Sequence, residues 1–252
     1  MTRTLIIPAA GRGSRLQSDI PKVLYPIAGR PMLDHLLDLY TNVASRFVVV
    51  VSPEFEGLVR AHCANLPQAG HIDYALQHRP DGMLPAILTA SAAIAQWQPE
   101  SVWITWCDQV GIRQGTVRRM IELTAGDADL VFPTVLKPEP YIHFDRDAAG
   151  RINAVRHRRE GDAMPETGEG DSGLFALSRA AFLEHLPRFA AETSSHATAA
   201  GAATGERNFL PFIPWIAQRG TVLTYPLEDE LESLGVNTVS DARQIEHYLA
   251  SR

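Results

Sequence analysis

Short apolar runs of strand length alternate with longer stretches of helical spacing through the first half of the chain, and this rhythm restricts the fold more than any other feature. Residues 5–7, 47–51, 72–76, 102–106 and 130–134 read as strands. The intervening stretches 32–44, 54–64, 84–95 and 114–123 carry apolar residues at helical spacing. Strands joined by helix-length crossovers pair in parallel, because the chain has to return to the same end of the sheet before the next strand begins. The expected fold class is α/β, with a sheet covered on both faces.

Beyond residue 134 the rhythm changes. Residues 141–144 and 152–156 read as a hairpin joined by Asp145-Arg-Asp-Ala-Ala-Gly150, and the charged, glycine-containing stretch 156–170 reads as an exposed loop near a site. A strand at 173–177 and a helix at 179–186 follow. Residues 190–205 hold almost only Ala, Thr, Ser and Gly with a single His196, lack the periodicity needed to pack, and read as a mobile loop. A helix at 210–217, a strand at 222–225 and a closing helix at 241–249 complete the chain. No repeat or linker divides it, so a single domain over 1–252 is expected.

A hydrophobic content of 45% over 252 residues supplies an ample core. The formal charge of -6 opposes a broad nucleic-acid footprint, which needs a basic face, so any phosphate recognition is expected to be local. Cys63 and Cys107 form no Cys-x-x-Cys pair and no cationic-apolar leader opens the chain, which fits a reducing cytoplasm. The apolar runs are too short to cross a bilayer, and no membrane partner is expected.

The first strand runs into Pro8-Ala-Ala-Gly-Arg-Gly-Ser-Arg15, followed by Pro21-Lys22. Ala9, Ala10, Gly11, Gly13 and Ser14 let backbone amides approach an anion closely, and Arg15 and Lys22 add mobile positive charge for phosphate oxygens. Gly-x-Gly alone fits an ordinary strand-to-helix turn equally well, and neither the P-loop nor the dinucleotide spacing is present. Asp108 ends the strand 102–106 at the sheet edge where ligands bind in open parallel sheets; it could hold a hard cation such as Mg²⁺ or cap a helix. Asn237 could complete that metal site or start the closing helix, and chemistry alone slightly favours the cap. Gln77 could read a base edge or face solvent at the end of its strand.

Taken in order, Pro8 to Leu16, Pro21-Lys-Val-Leu24 and Ala28-Gly-Arg-Pro-Met-Leu33 resemble the signature of the nucleotide-sugar pyrophosphorylases. The likeness is closest to the uridylyltransferase domain of N-acetylglucosamine-1-phosphate uridylyltransferase. It continues through Leu76-Gln77, Gly82, Trp106-Cys-Asp108, Tyr141, Gly150-Arg-Ile152, Asp171-Ser-Gly173, Glu206 and Gly235-Val-Asn237. The resemblance implies a Rossmann-like nucleotidyltransferase fold of the GT-A-like type: a three-layer α/β/α sandwich with a mixed, mostly parallel sheet. It implies a nucleotide-binding half at 1–135 and an acceptor-binding half at 136–252. Mg²⁺ would sit on Asp108 and Asn237, the triphosphate on Ala9, Ala10, Gly11, Gly13 and Ser14, and the base against Gln77 and Gly82. Arg15 and Lys22 would be the catalytic cations, and Trp106, Tyr141, Arg156 and Asp171 would meet the acceptor. The implied reaction joins a nucleoside triphosphate, with UTP or CTP favoured, to a sugar 1-phosphate and releases pyrophosphate, in a monomer or homodimer.

Departures from the pattern bear on the substrates. Pro8 replaces an aliphatic residue, Cys107 replaces a glycine, and Gly82-Met-Leu-Pro85 stands where the uridylyltransferases carry Gly-Thr-Gly. The glutamate that the family presents to an amino sugar aligns with Arg156 or His157, and its asparagine becomes Asp171. An acetamido sugar is therefore not expected, and a basic residue there would suit an acceptor with an extra acidic group. The run Arg156 to Arg159 equally fits a solvated hairpin. The chain ends at Arg252 without the β-helix that some relatives append for acetyl transfer, so that activity is not expected. Two other readings stay open: a cytidylyl- or guanylyltransferase acting on a non-sugar phosphate, phosphonate or molybdopterin, and a regulatory module that binds nucleotide without turnover.

Overall fold

The run at 5–7 lies in β1 (Arg3–Pro8), whose side chains alternate between two apolar layers: Leu5 and Ile7 enter one, Ile6 the other. This computed structural model describes residues 1–194 and 203–251. A short ribbon, β2 (Pro26–Ile27) with β3 (Arg30–Pro31), leads into α1 (Met32–Tyr40). The alternation continues through β4 (Arg46–Val51), α2 (Glu56–Cys63), β5 (Ile72–Leu76), α3 (Met83–Leu88), α4 (Ser91–Trp97), β6 (Ser101–Thr105) and α5 (Gln114–Leu123). Next come β7 (Leu130–Pro138), the hairpin β8 (Ile142–Arg146) and β9 (Ile152–His157), β10 (Thr167–Asp171) and β11 (Leu174–Ser178). The described chain closes with α6 (Leu186–Ser194), α7 (Phe212–Ala217), β12 (Val222–Pro226) and α8 (Val239–Ala250).

β5, β4, β1 and β6 lie side by side in parallel. β11 then pairs antiparallel with β6 and β7, β10 continues antiparallel along β7, and β12 runs parallel to β7 at the edge. α1, α2, α5 and α8 bury their apolar stripes on one face; α3, α4, α6, α7 and the β8–β9 hairpin cover the other. The fold is the expected Rossmann-like α/β sandwich with a mixed, mostly parallel sheet. α1 shows why the helices form: Met32, Leu33, Leu36, Leu37 and Tyr40 fall on one side of a 3.6-residue repeat and are fully buried. Pro8 fits in β1 because it lies past the pairing with β6, where its missing N–H interrupts no ladder. Among the described residues, no helix is long and apolar enough to cross a membrane.

Three expectations need correction. The helix expected over 84–95 divides into α3 and α4 at Thr89, whose hydroxyl donates to the Ala86 carbonyl and competes with the continuing helix. The expected loop 156–170 contains most of β10, held by its ladder to β7 despite the sequence Thr-Gly-Glu-Gly-Asp. The expected loop 190–205 begins as helix: residues 190–194 belong to α6, with Phe189 and Ala190 buried against the layer that holds Phe212. The remainder of that stretch through 202 lies outside the described residues.

Candidate functional site

β1, β4, β5 and β6 bring their carboxyl ends to one edge of the sheet, and a cleft of ≈ 1060 Å³ opens there. Ala10 and Gly11 line it from the end of β1, Gln77 from β5, and Trp106 and Asp108 from β6. The far wall comes from β10, the β8–β9 hairpin and the turn before α8.

Where these walls meet, four residues from distant parts of the chain converge. Lys22 forms an ion pair with Asp108 and donates to Asn237 Oδ1 at 2.9 Å, and Arg15 Nη2 donates to the same amide oxygen at 3.0 Å. The side chains of Lys22 and Asp108 are 12% and 13% exposed, so their attraction is only weakly screened by solvent. Burial by itself would lower the Lys22 pKa, but the neighbouring Asp108 carboxylate outweighs it and holds the ammonium above the ordinary lysine value. Cys107 is different: burial pushes its thiol up to about 12 although Lys22 pulls the other way, so at neutral pH it is no nucleophile.

Asn237 is not the helix cap that residue chemistry slightly favoured. Thr238 caps α8 and exchanges hydrogen bonds with Asp241 in a capping box. The Asn237 side chain is thereby left to point its oxygen at Lys22 and Arg15, while its Nδ2 donates to the Gly235 carbonyl. Asp108 and Asn237 thus present two hard oxygen donors to one point, a set suited to a small divalent cation that takes its other ligands from water and phosphate.

The loop after β1 packs against this cluster. Gly13 adopts φ +66°, and a Cβ there would lie 2.8 Å from Lys22 Cβ, so glycine permits both the turn and the approach of the lysine. Ala9 is buried with its N–H donated to the Val50 carbonyl, which extends β1 and leaves that amide unavailable to the cleft. Ser14 opens a single helical turn that carries Arg15. At the end of β5, Gln77 Nε2 donates to Asp81 Oδ1 at 3.1 Å and to the Gly82 carbonyl at 3.0 Å, so that half of the amide holds the loop in shape. Gly82 has φ +116°, and a Cβ there would stand 2.4 Å from the Arg207 carbonyl oxygen.

The candidate acceptor residues divide. Trp106, Tyr141 and Asp171 line the cleft; Trp106 packs on Phe175 and Phe209, and Tyr141 meets the His157 ring edge-on. Burial raises the Asp171 pKa against the opposing hydrogen bond from the Gly173 N–H. Arg156 is not among the lining residues. Its guanidinium grips both oxygens of Asp145 at 2.7 and 2.9 Å and reaches the Ala163 carbonyl, while His157, the next residue of β9, faces the cleft. Burial lowers the His157 pKa, and its Nε2 is enclosed with no hydrogen-bond partner among the described residues.

Gln109 and Lys137 are among the cleft residues that escaped the sequence reading. Gln109, 6% exposed, follows Asp108 and has an enclosed Oε1 with no hydrogen-bond partner among the described residues. Lys137 is half-buried on β7, and burial lowers its pKa despite the charges of Glu230 and Asp171. Carrying the alternation of the strand 130–134 onward past its expected end would have set Val135 and Lys137 on one face.

Residues 5–172 match the family model described as the MobA-like NTP transferase domain. The sequence is 31% identical over 255 residues to the bifunctional protein GlmU of Paramagnetospirillum magneticum, covering 98% of this chain and 53% of the relative. It is 30% identical over 258 residues to the bifunctional protein GlmU of Azotobacter vinelandii (100% and 53%), and 30% identical over 253 residues to that of Pseudomonas paraeruginosa (98% and 52%). The chain spans about half the length of the curated relatives it matches.

Proposed function

The chain belongs to the family of MobA-like NTP transferase domains and is a nucleotidyltransferase, and from that footing we propose that it couples a nucleoside triphosphate to a sugar 1-phosphate, releasing pyrophosphate with the help of Mg²⁺. UTP or CTP is the proposed donor. The observation that carries this reading is the convergence of Arg15, Lys22, Asp108 and Asn237 at the mouth of the first glycine-rich loop.

In this reaction an oxygen of the acceptor phosphate attacks the α-phosphorus of the triphosphate, the new P–O bond forms as the α–β anhydride breaks, and pyrophosphate leaves. Both partners are anionic, so catalysis consists of aligning them and cancelling their repulsion rather than of covalent chemistry on the protein. Asp108 and Asn237 would hold Mg²⁺, which when bound would draw electron density from the phosphate oxygens. Lys22 and Arg15 would then exchange their contacts with Asp108 and Asn237 for triphosphate oxygens, delivering charge already positioned before substrate arrives. Ala10 and Gly11 leave the backbone open to the phosphates, and Gln77 with Gly82 would border the base. With Cys107 held as a neutral thiol, the reading requires no protein nucleophile.

Pyrophosphate release measured with Mg²⁺, each common triphosphate and a panel of sugar 1-phosphates tests the proposal. One triphosphate, UTP or CTP, should support turnover, and Asp108→Asn or Lys22→Ala should lower it by at least ~100-fold. Absence of release from every combination would overturn it.

A further inference from the structure

We propose that Lys137 recognises a second anionic group on the acceptor, so that the preferred acceptor carries a carboxylate or an additional phosphate besides the phosphate that reacts. This rests on the nucleotidyl-transfer reading above and narrows its acceptor.

Lys137 occupies a strip of the cleft floor with little else on it. Val135 and Lys137 on β7 stand in register with Gly170 and Gly168 on β10, and all four line the cleft. The glycines let β8 sit directly on β10: a Cβ at Gly168 would fall 2.6 Å from His143 Nδ1, and one at Gly170 would fall 2.9 Å from the Ile142 carbonyl oxygen. Lys137 is therefore the charged side chain of the strip.

Its ammonium has three protons to donate, yet among the described residues its hydrogen bonding is a single long contact, 3.5 Å, to the Ser233 carbonyl. No carboxylate oxygen of those residues forms an ion pair with it within 4.0 Å. A half-buried cation with unused donors gains most from a ligand that brings a negative charge. A neutral ligand would cover the ammonium without compensating it.

This cation is separate from the one assigned to the triphosphate. Lys22 pairs with Asp108 and donates to Asn237, whereas Lys137 donates to the Ser233 carbonyl, so among the described residues the two ammonium groups have different partners. With Lys22 assigned to the triphosphate, Lys137 is the lysine that lines the cleft for the acceptor, and a second anionic group on that acceptor would compensate it. Arg156, the basic residue that the sequence nominates for this task, is already bound to Asp145, and the role falls to Lys137.

The test compares glucose 1-phosphate with glucuronic acid 1-phosphate and glucose 1,6-bisphosphate, which add a carboxylate or a phosphate to the same ring. Pyrophosphate release is followed with Mg²⁺ for the wild type, Lys137→Met and Lys137→Arg. One acidic acceptor should exceed glucose 1-phosphate in kcat/KM by ~100-fold, K137M should collapse that ratio to within ~5-fold, and K137R should keep most of it. Which acidic acceptor wins identifies the second group. Equal or better use of glucose 1-phosphate by the wild type overturns the proposal while leaving nucleotidyl transfer intact. So does an equal loss for all three acceptors in K137M, because Lys137 would then serve the phosphate common to them. Failure of every triphosphate and acceptor to release pyrophosphate sinks the underlying reading, and this proposal with it.

Discussion

Lys22 and Asn237 meet at 2.9 Å although 215 positions of sequence separate them, and this contact joins the loop after the first strand to the turn before the last helix. Its formation depends on a division of labour between neighbours: Thr238 caps α8, which frees the Asn237 amide for the cleft. Asn237→Ala should therefore leave the melting temperature nearly unchanged while lowering turnover by ~100-fold, since the lost group acts on charge at the reacting phosphates. Thr238→Ala should do the reverse, costing ~1 kcal/mol of stability with a much smaller effect on turnover. Calorimetry and pyrophosphate release on the two variants give the answer; equal loss of stability in both would assign Asn237 to the cap.

Gly13 makes a second testable link between backbone and chemistry. Its φ of +66° and the 2.8 Å separation from Lys22 Cβ leave no room for a methyl group. Gly13→Ala should strain the turn by about 1–2 kcal/mol, push Lys22 from Asp108, and reduce turnover by at least ~10-fold. An active variant with wild-type kinetics would show that the loop tolerates a displaced lysine.

The central strands were legible because a parallel strand covered on both faces must be apolar at every position, as 5–7 and 47–51 are. β10 was not, because its glycines are chosen for the close approach of β8 and carry no strand propensity of their own. In the site, residue types and strand ends pointed to Lys22, Arg15 and Asp108, but which of Arg156 and His157 faces the cleft depends on strand register. Successive side chains alternate faces, so a one-residue uncertainty exchanges a cleft residue for one paired with Asp145. Lys137 was hidden for a related reason: β7 continues to Pro138, beyond the apolar run that announces it.

Cys107 borders Asp108 yet should be chemically silent. Burial pushes its thiol up to about 12, and burial also raises Cys63. Iodoacetamide at pH ~8 should label neither cysteine in the native protein and both after denaturation, because the thiolate is the reactive form. Cys107→Ala should retain turnover within a few-fold of wild type. Rapid native labelling of Cys107 accompanied by inactivation would point to a reactive thiol instead.

Glu160 ties the turn after β9 to the segment that borders the cleft. One oxygen accepts from the Ala203 and Thr204 amides at 3.1 and 3.2 Å; the other accepts from Thr204 Oγ1 at 2.6 Å and Asn208 Nδ2 at 3.3 Å. Burial alone would raise its pKa, but these hydrogen bonds, led by Thr204, outweigh burial and hold it below the ordinary 4.5. The unfolded chain therefore binds the proton at higher pH than the native one. The stability Glu160 contributes is complete above about 4.5 and is lost as pH falls through the lower native value. Glu160→Gln sets an NH₂ group against these donors at every pH, so it should melt below wild type by a constant margin between pH ~8 and ~5.5, and the margin should shrink on further acidification. Because Asn208 lines the cleft, the same variant should raise the acceptor KM by several-fold with less effect on the triphosphate KM. A melting difference independent of pH down to ~3.5 would show that the Glu160 charge does not hold this segment.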